Sequence, residues 1–171
     1  EFLAAYLYER VANLHHSISL RDDDGTVALA SFIGRYVELA PDFITAFEDF
    51  LSAADIIGEI DQQVKTAREF LDVPLEIVSI EERLEAHMYQ AYLAHRVLEE
   101  LNDVLKINYN CPIIPIDMTR SNLIVHHIIG EPFANQIDSA IQLLNKKLIS
   151  AIARDASLER KISSYLATLG N

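Results

Sequence analysis

The chain has one cysteine, five glycines and five prolines in 171 residues, and each scarcity excludes something. With Cys111 alone no internal disulfide can form, and an unpaired thiol fits a reducing compartment, so the sequence points to the cytoplasm. The glycines, Gly25, Gly34, Gly58, Gly130 and Gly170, are isolated from one another, so neither a phosphate-cradling loop nor a dinucleotide-binding turn can be written. Few helix breakers, with half the residues hydrophobic, argue for long regular elements rather than disorder. No run of about 18 uncharged apolar residues occurs, so no spanning helix is expected, and Glu1-Phe2-Leu3-Ala4-Ala5 lacks the basic region of a signal peptide.

Positive charge is also scarce. Lys and Arg number 14 against 26 Asp and Glu, a net charge of −12. That balance repels phosphate backbones and anionic lipid headgroups, so the expected partners include no nucleic acid and no membrane. The densest basic clusters, Lys146-Lys147 and Arg160-Lys161, are pairs on solvated faces. The acidic run Asp42, Glu48, Asp49, Asp55, Glu59 and Asp61 reads likewise as a solvated flank, with a basic protein as its alternative partner.

What is present is helical periodicity. A chain of this length supports one domain with a sizeable core, here residues 1–171. Leu3, Leu7, Val11, Leu14 and Ile18 step by fours and threes, a stripe that ends at Asp22-Asp23-Asp24-Gly25. The triple aspartate is not a calcium loop, because the acids such a loop needs at positions 20 and 31 are Leu20 and Ser31. Leu29, Phe32, Ile33 and Tyr36 mark a second helix that Pro41 should close, since proline has no amide hydrogen and clashes with the preceding turn. Phe43, Phe47, Phe50, Leu51 and Ala54 mark a third, stopped at Gly58, and Ile60, Val64, Ala67 and Leu71 a fourth, stopped before Pro74.

Ser79 and Glu82 form a capping box, so the longest helix should begin at Ile80 and run to Lys106. Its stripe is read as Leu84, His87, Ala91, Ala94, Leu98, Leu101 and Leu105. Residues 107–118, with Pro112 and Pro115, should be extended but lie on the core through Ile113, Ile114 and Ile116. Leu123–Ile129 is read as helix rather than strand, capped by Thr119 or Ser121 and ended by Gly130. Glu131-Pro132 should open another helix, with Phe133, Ile137, Ile141, Leu144, Leu148 and Ile152 on one side. A last one carries Leu158, Ile162, Tyr165 and Leu169. The expectation is an all-α, single-domain bundle of about eight helices packed around a long central helix, residues 80–106.

Chemistry could reside in six histidines at three places: His15-His16, His87 and His95, and His126-His127. His87 and His95, eight residues apart, stand about 12 Å apart along one helix and cannot chelate one ion together. His95 and Glu99 are an i, i+4 pair and could share a divalent transition metal with His16 and His127 from other helices. The motifs of di-metal bundles and metalloproteases, Glu-x-x-His and His-Glu-x-x-His, are missing. A second reading places His87 in the buried stripe beside the small residues Ala91 and Ala94. A pocket there, lined by His87, Ala91, Ala94, His15 and Tyr92, would hold a small molecule. Cys111 has no adjacent base and no helix N-terminus to activate it, so it reads as a buried hydrophobe, and no catalytic residue is assigned.

The functional expectation is a helical binding or interaction domain, a homodimer or the binder of another protein, with no cofactor. The apolar faces of eight helices exceed what a small domain must bury, and symmetric dimers are the commonest oligomer. The alternative is an enzyme or sensor built on the metal set His95, Glu99, His16 and His127.

Overall fold

A computed structural model of the chain describes residues 25–58, 60–74, 80–115, 117–152 and 155–169, and among them there are six helices and no strand. These are α1 (Gly25–Ala53), α2 (Asp61–Asp72), α3 (Ile80–Tyr109), α4 (Thr119–Ile129), α5 (Phe133–Ile152) and α6 (Ala156–Leu169). The expected eight become six for two reasons. The stripe at Leu3–Ile18 lies outside the described residues, and the two helices expected on either side of Pro41 are one.

Pro41 does not break α1 because its missing hydrogen bond falls on the wet side of the helix. The residue is exposed, whereas Leu29, Ile33, Tyr36, Ala40, Ile44, Phe47 and Leu51 are buried in one stripe that continues through the proline. Packing along that stripe outweighs the local penalty, which is confined to one backbone bond. The helix stops instead at Asp55, which adopts a left-handed φ of 54° while the Ile56 amide turns back to the Leu51 carbonyl at 3.0 Å. α2 then packs against α1 after a short link, and Arg68 grips the Glu48 carboxylate on α1 with two bonds of 2.8 and 2.7 Å.

The helix beginning at Ile80 is the axis of the molecule, as its length suggested. It touches all five of the other helices. From Ala91 to Leu105 nearly every position is buried or half-buried, which is the signature of a helix surrounded by neighbours. The Ser79 capping box lies outside the described residues. The stripe read from sequence is displaced by one residue at its start: Met88, Ala91, Tyr92 and His95 are the inward set, at spacings of three, four and seven, and His87 is exposed.

The segment after α3 lies on the core as its isoleucines suggested, with Cys111, Ile114 and Met118 buried; Ile116 lies outside the described residues. Among the described residues, one side chain bonds its backbone in place. Asn102, buried on α3, accepts from the amides of Ile113 (2.8 Å) and Ile114 (3.1 Å) and donates to the Ile114 carbonyl at 3.2 Å. This replaces the ladder partners that an irregular segment lacks. α4 is helical, as expected for Leu123–Ile129, and ends at Gly130, with φ 83° and its amide bonded to the His126 carbonyl at 2.9 Å. Its start is capped by neither Thr119 nor Ser121: Asp117 accepts from the Thr119 amide at 3.0 Å. α5 begins one residue after Pro132, and Asp155 caps α6 through the amides of Ser157 (2.8 Å) and Leu158 (3.2 Å). Among the described residues no helix is long and apolar enough to cross a membrane.

Candidate functional site

Polar residues gather where α3, α4 and α5 meet. On α3, Tyr92, Arg96 and Glu99 follow one another at four and three residues, so they share a face; Asn122 and His126, four apart, share a face of α4. Asp138 comes from α5. Glu99 and Asn122 are both buried, and a charge removed from water must find partners or the fold loses stability.

The partners form one continuous chain. The Tyr36 hydroxyl, reaching in from α1, donates to Asn122 Oδ1 at 2.5 Å. Asn122 Nδ2 donates to Glu99 Oε2 at 2.7 Å, and the same oxygen accepts from Arg96 Nη1. Arg96 then extends Nε to Asp138 Oδ1 at 3.0 Å and Nη2 to Glu100 Oε1 at 3.3 Å. Tyr92 donates its hydroxyl to Asp138 Oδ1 at 2.8 Å. His126 Nδ1 stands 3.0 Å from Asp138 Oδ2 and 3.0 Å from the Tyr92 oxygen. A carboxylate oxygen only accepts, so Nδ1 carries a proton, and in the neutral ring Nε2 keeps a lone pair.

Electrostatics follow from this geometry. Burial works against the charge of Arg96, but Glu99 and Asp138 beside it more than compensate, and its pKa is raised. Tyr92 is raised by burial and by its bond to Asp138, and Tyr36 by burial and by the neighbouring Tyr92 and Glu99, so both phenols stay protonated. Burial raises Glu100 and Asp103 as well. Arg96 is therefore a fixed cation held among carboxylates by a fork of donors.

The chain is not sealed inside the protein. Tyr92, Arg96, Glu99, Thr119, Asn122, Leu123, His126 and Asp138 line a cleft of about 230 Å³. Glu99 and Thr119 also form part of the wall of a larger space of about 490 Å³, which continues beneath the Asn102-pinned segment past Asp103, Lys106 and Asp117. Across the two spaces Glu99, Asp103, Asp117 and Asp138 face two cations, Arg96 and Lys106.

The residues singled out by sequence are distributed unevenly over this site. Tyr92 and Glu99 line it. Ala91 and Ala94 are fully buried in the core, and His87 is exposed, which corrects its reading as a buried core histidine. His15 and His16 lie outside the described residues. His95, one turn before Glu99, is buried but turns to the other side, where Nε2 donates to the Tyr36 carbonyl at 2.8 Å. His127 is half-buried, its ring 5.8 Å from that of His126. Among the described residues, no group of three or more His, Cys, Asp or Glu could hold a metal ion. Cys111 is buried, and its thiol is raised by that burial.

Sequence reasoning missed Arg96, Asn122 and Asp138. Their signal was weak: Asn122 follows Thr119-Arg120-Ser121 and reads as part of a polar helix start, while Arg96 and Glu99 interrupt a helix buried on nearly all sides. Compared with family models, with curated proteins and with solved structures, the chain matches none.

Proposed function

We propose that the protein is a helical ligand-binding domain whose site is the polar cleft between α3, α4 and α5. The observation that carries this reading is the open end of a buried polar network. Seven side chains from four helices, Tyr36, Tyr92, Arg96, Glu99, Asn122, His126 and Asp138, are locked by mutual hydrogen bonds and line or back a cleft. A buried ion pair is a poor stabilising device, because desolvation consumes most of its Coulomb energy. Pre-positioning donors and acceptors for a ligand is the use such an arrangement serves well. The expected pocket beside His87 is thus replaced by one that keeps only Tyr92 from the original set.

The cleft volume suits a ligand smaller than a drug-sized molecule, and the excess of carboxylates disfavours anions. His126 Nε2 offers an acceptor and Glu99 and Asp138 hold residual negative charge, so the ligand is a small neutral or cationic polar molecule. Thermal unfolding in the presence of small amines, amides and polyols, with dicarboxylates as controls, tests this. At least one neutral or cationic compound should raise the unfolding temperature of the wild type and fail to do so for His126→Gln. Equal shifts in both proteins, or shifts only with dicarboxylates, would refute it.

A second reading, self-association, rests on α5. Leu143 and Leu144 are 72 % and 40 % exposed and, with Ala140, line an apolar groove of about 880 Å³. Two copies packed through this face would cover it symmetrically. Sedimentation should then show a dimer that Leu143→Glu dissociates; a monomer at high concentration removes the reading.

A further inference from the structure

A second cavity, of about 220 Å³, lies on the far side of Asn122, between α1 and α4 with α3 behind it. Its lining is aromatic where that of the polar cleft is charged. Phe32, Tyr36 and Phe43 from α1 surround His95 from α3: the Tyr36 and His95 rings are 4.2 Å apart, and Phe43 meets His95 edge-on at 5.3 Å. Leu39 and Met118 complete an apolar wall, and the exposed Arg35 stands at the mouth with Ser121.

His95 brings an unusual polar group into that wall. It is 2 % exposed, and Nε2 must carry the ring proton because its partner, the Tyr36 carbonyl, can only accept. The neutral ring then has one acceptor, Nδ1. Burial holds the pKa down to about 4, against the opposing influence of the Tyr36 carbonyl and of Glu99, so the ring is neutral at pH 7. The cavity thus combines aromatic walls, the neutral ring of His95 and one lining arginine, Arg35.

We infer that this cavity binds a small aromatic carboxylic acid, with its ring among Phe32, Phe43 and His95 and its carboxylate on the Arg35 guanidinium. An apolar cavity of about 150 Å³ accommodates benzene, so one of this size has room for a ring and a carboxylate. Edge-to-face contacts reward an aromatic ring over an aliphatic chain of equal size, and the planar fork of arginine matches a carboxylate. A ring hydroxyl would add a bond to His95 Nδ1. The site is separate from the polar cleft and its test is independent of that reading; the two share the Asn122 wall and are linked by the Tyr36–Asn122 bond.

Calorimetric titration with benzoate, 4-hydroxybenzoate and the neutral 4-hydroxybenzamide tests the inference, with intermolecular NOEs locating the ligand ring. 4-Hydroxybenzoate should bind more tightly than benzoate and much more tightly than the amide, with NOEs to Phe43 and His95. Arg35→Gln, at an exposed position that leaves the fold intact by circular dichroism, should weaken 4-hydroxybenzoate by roughly tenfold or more, as expected for loss of a charge-assisted bond. The same change at Arg160, exposed on α6, should leave binding unaltered. Equal affinity for acid and amide, no loss in Arg35→Gln, or NOEs to other residues would overturn it, as would absence of binding at millimolar ligand.

Discussion

A histidine that donates one ring proton to a backbone carbonyl inside an aromatic packet has little room for a second. For His95 this has a pH consequence of definite sign. Burial depresses its pKa from about 6.5 to about 4 in the folded protein, so between those values the unfolded chain binds a proton that the folded chain refuses. Stability is therefore complete above pH 6.5 and falls as the pH drops toward 4, by an amount on the order of 3 kcal/mol for this residue. An NMR titration of the His95 ring should show a midpoint near 4, well below the ordinary histidine value. A midpoint near 6.5 would show that the ring is not held as described. Arg96 makes the complementary case. Arg96→Met leaves Glu99 buried without its cation and should cost about 3 to 5 kcal/mol in chemical denaturation. Adding Glu99→Gln to that variant removes the stranded charge and should restore part of the loss; an additive double variant would mean that the two are not coupled.

Among the elements, the segment between α3 and α4 depends on one side chain. Asn102→Leu preserves volume but strands two amides and a carbonyl, so stability should fall by about 2 to 4 kcal/mol. Amide exchange should quicken at Ile113 and Ile114 before it does in α3, and uniform quickening would contradict a local pin. Here the relation of sequence to structure is plainest. The helices α2, α3, α5 and α6 were legible from their stripes, although Phe133 and Leu144 of α5 and Leu169 of α6, expected on the inner side, are exposed. α4 was legible from Gly130 and from the lack of any strand partner. Pro41 misled because proline's penalty is local while the stripe it interrupts is long, and a pattern of spacings alone does not say that Pro41 faces water. His87 misled because the one-residue choice between His87 and Met88 depends on where the neighbours of α3 lie. The site was less legible than the fold: Asn122 and Asp138 carry no motif, and their meeting with Arg96 is set by how three helices cross.

At the scale of the whole molecule, five helices surround one among the described residues. α3 contacts all the others, and it also carries Tyr92, His95, Arg96 and Glu99, so the element that organises the core supplies both cavities with polar groups. A helix buried on nearly all sides holds its side chains in fixed rotamers, which suits pre-positioned binding groups. The net charge of −12 acts at this scale as well, setting the whole surface against anions while Arg35 provides a local exception. The central claim is that the cleft between α3, α4 and α5 is the place where a small polar ligand sits. Chemical-shift mapping on isotope-labelled protein, using the compound that most raises its unfolding temperature, tests this most directly. Shifts concentrated at Tyr92, Arg96, Asn122, His126 and Asp138, and lost in His126→Gln, are the predicted result. Shifts centred elsewhere, or unchanged in that variant, would contradict it.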